Sequence, residues 1–98
     1  MKILNHKVLA LIFLITVNYS SAQESFILNY EDVDIKKVTQ DIAQFSKKTI
    51  ILDPRVKGRI TIYSNADLNR SQVWDVYLRT IQVNGFSAIS ESGFVRIV

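Results

Sequence analysis

Two stretches of this chain repeat apolar residues at intervals of three and four. Several shorter ones alternate or run apolar. In "IKKVTQDIAQFSKK", Ile35, Val38, Ile42 and Phe45 fall on one helical face, and Lys36, Lys37, Gln40, Asp41, Gln44 and Lys47 take the others. Asp32 or Asp34 is placed to cap the start of this helix, and Lys47 and Lys48 suit the negative end of its dipole. A second helix is predicted from Asn69, which has the three-residue offset to Gln72 of a capping box. Its stripe is Val73, Trp74, Tyr77, Leu78 and Ile81, and Asn84-Gly85 closes it.

The strands are read from alternation and from short apolar runs. "SFILNY" (Ser25 to Tyr30) sets Phe26, Leu28 and Tyr30 on one face and Ile27 on the other, with "EDVD" as the connection that follows. "TIILD" (Thr49 to Asp53) is nearly continuous, the pattern of a strand buried on both faces. "RITIYS" alternates, with Ile60 and Ile62 inward and Thr61 and Tyr63 outward. "FSAIS" and "FVRIV", separated by "ESG", predict a closing hairpin. The order strand-helix-strand-strand-helix-strand-strand predicts an α+β fold, a small two-helix domain packed on short mixed β-sheets over 23–98.

The first 22 residues read differently. Lys2, His6 and Lys7 precede the apolar run "VLALIFLITV", and Ser20 and Ala22 are small residues three apart. This is the layout of a signal peptide over 1–22, cleaved between Ala22 and Gln23. The run is half the length a spanning helix needs, about 20 residues. Two of the twelve Lys and Arg lie in this leader and all nine Asp and Glu lie outside it, so the net charge of +3 falls to +1 for 23–98. That leaves no dense basic face for nucleic acid.

Chemistry is scarce. The single histidine, His6, belongs to the leader, and there is no cysteine. His-assisted nucleophiles, His metal sites and thiolate chemistry are therefore excluded from 23–98. Glu31, Asp32 and Asp34 could hold a hard cation in principle, but helix capping accounts for them without one. Arg55, Lys57 and Arg59 form a basic patch with one glycine, and a strand rather than a helix follows, unlike a phosphate cradle. Asp53, Pro54 and Gly58 instead read as a structural turn, Pro54 fixing the entry and Gly58 accepting an awkward backbone angle. The residue set predicts a non-enzyme without metal or cofactor.

Three phrases carry a resemblance. "DVDIKKV" (Asp32 to Val38), "LDPRVKGRITI" (Leu52 to Ile62) and "IQVNGFSAI" (Ile81 to Ile89) occur in the order and spacing of the N-terminal periplasmic (N-zero) domain of secretins. The wording resembles most the type II secretion outer-membrane channel family, general secretion pathway protein D. The resemblance covers Phe26 to Val98. It implies a periplasmic domain of an outer-membrane protein that docks the channel onto the periplasmic homology region of an inner-membrane clamp protein. It also implies ring assembly with other secretin subunits and contact with exported cargo. The same family uses exposed sheet edges, which here implies partner binding through Ile27 and Asn29 of the first strand and Ile60, Thr61 and Tyr63 of the third. A related fold, the signalling domain of TonB-dependent outer-membrane transducers that bind an anti-sigma regulator, is the alternative. Its glycine-threonine-glycine-leucine ending stands where this chain has "QVNGF". A free-standing periplasmic adaptor is a third possibility. The pattern that follows the first domain in secretins is absent from these 98 residues, which reads as a fragment of a longer product.

Overall fold

The computed structural model describes residues 24–98; the predicted leader over 1–22 and its junction at Ala22 and Gln23 lie outside the described residues. The elements are β1 (Asn29–Asp34), α1 (Ile35–Ser46), β2 (Ile50–Leu52), β3 (Arg59–Tyr63), α2 (Arg70–Val83), β4 (Ala88–Glu91) and β5 (Phe94–Ile97). Their order and the α+β class are those expected from the apolar pattern.

Both helices start where their caps dictate. Asp34 Oδ1 accepts the Lys36 amide at 2.8 Å. Asn69 Oδ1 accepts the Gln72 amide at 2.8 Å while Gln72 Oε1 accepts the Asn69 amide at 2.9 Å, a complete capping box. α1 ends at Lys47, whose left-handed backbone (φ 53°) returns its N–H to the carbonyls of Ala43 and Gln44.

The strands form two sheets. β1 and β3 pair antiparallel, and β5 lies between β2 (parallel) and β4 (antiparallel). The core is shared: Leu28 and Ile60 from the first sheet, Val95 and Ile97 from the second, Val38 and Ile42 from α1, and Val73, Tyr77 and Ile81 from α2. Inside it, the hydroxyls of Thr39 and Tyr77 bond at 2.9 Å and tie the two helices together. Tyr77's phenol is pushed up in pKa by burial, against the lowering effect of the Thr39 bond.

Two expectations fail for physical reasons. The first regular strand is not Ser25–Tyr30 but Asn29–Asp34, so "EDVD" is strand rather than connection. Its acidic residues read as charges capping the helix start, yet a β-bulge gives Glu31 and Asp32 an outward place beside β3. Of the earlier segment, Phe26 makes a lone bridge to Leu68, exchanging bonds of 2.7 and 2.8 Å. Nor is β2 buried on both faces. It pairs with β5 alone and Ile51 stays 46% exposed, because α1 packs on one face and no element among the described residues covers the other.

The Asp53–Gly58 connection is a turn built from its own residues. Val56 N–H donates to the Asp53 carbonyl at 2.9 Å, closing a β-turn with Pro54 at its second position. Asp53 Oδ1 also accepts the Arg55 amide, at 2.9 Å. Val56 drops into the core at 2% exposure. Gly58 takes φ 154°, open to glycine almost alone, and offers its carbonyl to the Ile35 amide at 3.0 Å.

Candidate partner-binding surface

The β1–β3 sheet keeps one face against the core and turns the other outward. Its register pairs Asn29 with Tyr63, Tyr30 with Ile62, Val33 with Ile60 and Asp34 with Arg59. Between Tyr30 and Val33 the register slips, so Glu31 and Asp32 together oppose Thr61. The bulge keeps Leu28, Tyr30 and Val33 facing inward despite their uneven spacing. Asp32 adopts a left-handed backbone (φ 52°) and is held from β3 on both sides. Its N–H donates to Thr61 Oγ1 at 3.0 Å, and its carboxylate accepts Arg59 Nε at 2.7 Å while its carbonyl accepts another Arg59 nitrogen. Asp34 is the helix cap, so two of the three acidic residues, Asp32 and Asp34, are engaged by Arg59 and by the backbone.

The outward face then carries Ile27 (65% exposed) from the segment leading into β1, Asn29 from β1, and Thr61 and Tyr63 (67% exposed) from β3. Four of the five residues expected at a partner surface thus share one face. The fifth does not. Ile60 is 1% exposed and paired with Val33, its side chain in the core, as strand alternation requires of the residue beside Thr61. Only its main chain is near the surface.

Edge geometry adds main-chain groups. Ser64 N–H donates to the Leu28 carbonyl at 2.9 Å, so Leu28–Ser64 and, two residues on, Tyr30–Ile62 are the hydrogen-bonded pairs. The intervening Asn29 and Tyr63 direct their N–H and C=O away from each other, toward the two outer edges. Among the described residues neither edge has a further strand.

Beside β3 runs a groove of about 300 Å³ between Thr61 and the α2 residues Val76, Arg79, Thr80, Val83 and Asn84. Val83, at 87% exposure, is the most exposed large apolar side chain among the described residues. The sequence held this signal. Val76, Thr80 and Val83 repeat at four and three, one face round from the Val73–Tyr77–Ile81 stripe, but beside that stronger stripe they read as helix surface.

Two side chains at or near the sheet have displaced proton affinities, each with a local cause. Tyr30 donates to Asp41 Oδ2 at 2.8 Å, and burial, that bond and the nearby charge together hold its phenol well above its ordinary range. Asp53 is lowered to about 2, chiefly by the Arg55 guanidinium bonded to it and then by the Arg55 amide. Both are structural: one joins sheet to helix, the other fixes a turn.

Comparison with known proteins adds the family. The model of the GspD-like N0 domain matches residues 28–97. The chain is similar to the secretin XcpQ of Pseudomonas aeruginosa, 32% identical over 71 residues that make up 72% of this chain and 11% of XcpQ. It therefore spans about a tenth of the length of that curated relative. Among solved structures, the N0 domain of the type II secretin from enterotoxigenic Escherichia coli has a TM-score of 0.72 at 26% identity, over 80% of this chain and 98% of that one. The Klebsiella pneumoniae outer-membrane complex of PulD, PulS and the PulC HR domain gives a TM-score of 0.65 at 31% identity, over 71% of this chain and 12% of its own.

Proposed function

The chain belongs to the GspD-like N0 domain family of type II secretins, and from that premise we propose that it docks an outer-membrane secretion channel onto the inner-membrane platform of the same system. Residues 23–98 act as the N-terminal periplasmic domain, exported behind a leader that is removed between Ala22 and Gln23. The partner is the periplasmic homology region of the inner-membrane clamp protein. Other secretin subunits form a ring through the rest of the assembly, and exported cargo passes it.

One observation carries the reading: an exposed, two-edged β-sheet whose outward face gathers Ile27, Asn29, Thr61 and Tyr63. Strand addition at β3 supplies main-chain hydrogen bonds, and the side chains of Tyr63 and Val83 flank the added strand and select it. The solved PulD complex, which contains the PulC HR domain, supports the choice of partner. Secretin N0 domains are components of a transport channel, and the role proposed for this one is likewise structural.

The test is titration calorimetry of residues 24–98 against the homology region of the clamp protein from the same organism. Binding in the micromolar range is expected. Asn29→Arg and Tyr63→Ala should each weaken it by about tenfold or more, since exposed aromatic anchors carry a disproportionate share of interface energy. Absence of binding at high micromolar concentration, with the circular dichroism of a folded domain, overturns the proposal.

A further inference from the structure

At the opposite end of α2 from Val83, α1 ends against the beginning of α2. There Ser46, Lys48, Arg70, Ser71 and Trp74 line an open groove of about 380 Å³. Four features converge on it. Ser46 is 6% exposed, and its Oγ is buried with no hydrogen-bond partner. A buried hydroxyl without a partner is costly and rare. The first two amides of α2, those of Arg70 and Ser71, meet no acceptor among the described residues, while the capping box serves the third. A fourteen-residue helix thus opens into the groove with its positive end. Lys48 stands 5.0 Å from the centre of the Trp74 ring, its ammonium held over the aromatic face.

We propose that this groove is an oxyanion site which takes a carboxylate presented on a protein segment, with an apolar neighbour of that carboxylate lying against Trp74. The proposal is separate from the β1–β3 docking surface and uses none of its residues. The donors that line the groove are an ammonium, a guanidinium and two free amides, with the Ser46 hydroxyl buried just behind them. Arg70 selects a monoanion. Its Nε already donates to the Phe45 carbonyl at 3.0 Å and a terminal nitrogen is bonded to the carboxylate of Glu24. What remains suits one further negative charge better than the two of a phosphate. The Glu24 contact also shows that this guanidinium is set to receive a carboxylate at the end of an extended segment. That segment runs on into Phe26, whose ring stacks on Phe45 at 5.0 Å between centroids. A second acidic segment laid on Trp74 would repeat the arrangement on the neighbouring surface.

The experiment is an amide and indole NMR titration of residues 24–98, which pack as one core and match in extent a relative solved as an isolated domain. The probes are the dipeptide acetyl-Phe-Asp-amide, its neutral counterpart acetyl-Phe-Asn-amide, and sodium sulfate. Saturable shifts of the Arg70 and Ser71 amides and the Trp74 indole are expected with the Asp peptide. They should weaken about tenfold with the Asn peptide, the usual scale for losing a charge-assisted hydrogen bond. Lys48→Gln, at an exposed position, should weaken the Asp peptide severalfold and leave distant resonances in place. Equal response to the two peptides, response to sulfate alone (an adventitious ion only), indifference to Lys48→Gln, or no saturable shift each overturns the proposal.

Discussion

Removing Glu31 should leave the fold nearly intact, whereas removing Asn29, two residues earlier, should not. Glu31 and Asp32 jointly face Thr61, so loss of one leaves the other opposite Thr61 and preserves the Tyr30–Ile62 and Val33–Ile60 pairs. Every side chain of β1 keeps its face. The deletion removes the left-handed backbone of Asp32, a gain of about 1–2 kcal/mol. It also loses the exposed Asp32–Arg59 pair and the Thr61 bond, a loss of about 1–2 kcal/mol together. The net change is within about 1 kcal/mol, or roughly 4–8 °C in midpoint for a domain of this size. Asn29 has no bulge beside it to absorb a deletion. Every residue before it would change face. Ile27 would replace Leu28 in the core, an acceptable exchange, but Phe26 would turn away from Phe45 and surrender its two bonds to Leu68. Exposing a half-buried phenylalanine and breaking a ring pair cost about 2–4 kcal/mol. Urea and thermal unfolding followed by far-ultraviolet circular dichroism measure both variants. If deletion of Glu31 destabilises as much as deletion of Asn29, the bulge is not an absorbed extra residue and the account of the outward face is wrong.

Two further predictions concern the interior. Tyr77→Phe and Thr39→Val each strand one buried hydroxyl and should cost about 1–2 kcal/mol, while the double variant should cost less than their sum by about 1 kcal/mol or more; additive unfolding free energies would contradict the 2.9 Å bond between them. Tyr30 holds its proton more tightly when folded than its ordinary value of 10.0, through burial first and then Asp41. Its contribution is therefore complete below that value and is lost as pH rises above it. Urea midpoints should fall more steeply between roughly pH 9 and 11 for the natural chain than for Tyr30→Phe, and parallel declines would refute the assignment.

How much of this could be read from the sequence depended on whether an element obeyed its period. α1 and α2 did, and their caps at Asp34 and Asn69 were visible as residue types at fixed offsets. β3 alternated faithfully, so Thr61 and Tyr63 were placed outward correctly, and the same alternation already put Ile60 inside. β1 broke its period with one inserted residue. A strand reading stops at such a break, and the acidic residues beside it read as caps of the helix that follows. The side chains that stabilise the insertion, Thr61 and Arg59, lie 29 and 27 positions further on and give no local cue. β2 misled in the opposite way. A continuous apolar run signals burial on both faces only where something covers both, and coverage is a property of the whole fold. Ser46 at the groove was equally hidden, because an unpartnered hydroxyl is defined by what surrounds it.

The arrangement also suits so small a domain to the docking role proposed for it. With ten apolar residues fully buried among the described residues and no cysteine to staple it, its stability margin is narrow. An interface made by distorting the core would be unaffordable here. The surfaces on offer avoid that. The β3 edge presents backbone groups already held in extended form by pairing with β1. Thr61 is fixed by the bulge, and Val83 stands on a helix anchored by Tyr77 and Ile81. Binding therefore orders little that folding has not already ordered, which keeps its entropic cost low. Per copy the contact is small, with Ile27, Tyr63 and Val83 as its large apolar groups. Affinity in the proposed setting must then come from repetition: several copies held in register by the rest of the channel raise the effective concentration of each edge for its partner. A tethered tandem of two copies should bind a tethered pair of partners at least tenfold more tightly than single domains bind each other. Equal affinities would show that one edge contact alone carries the docking.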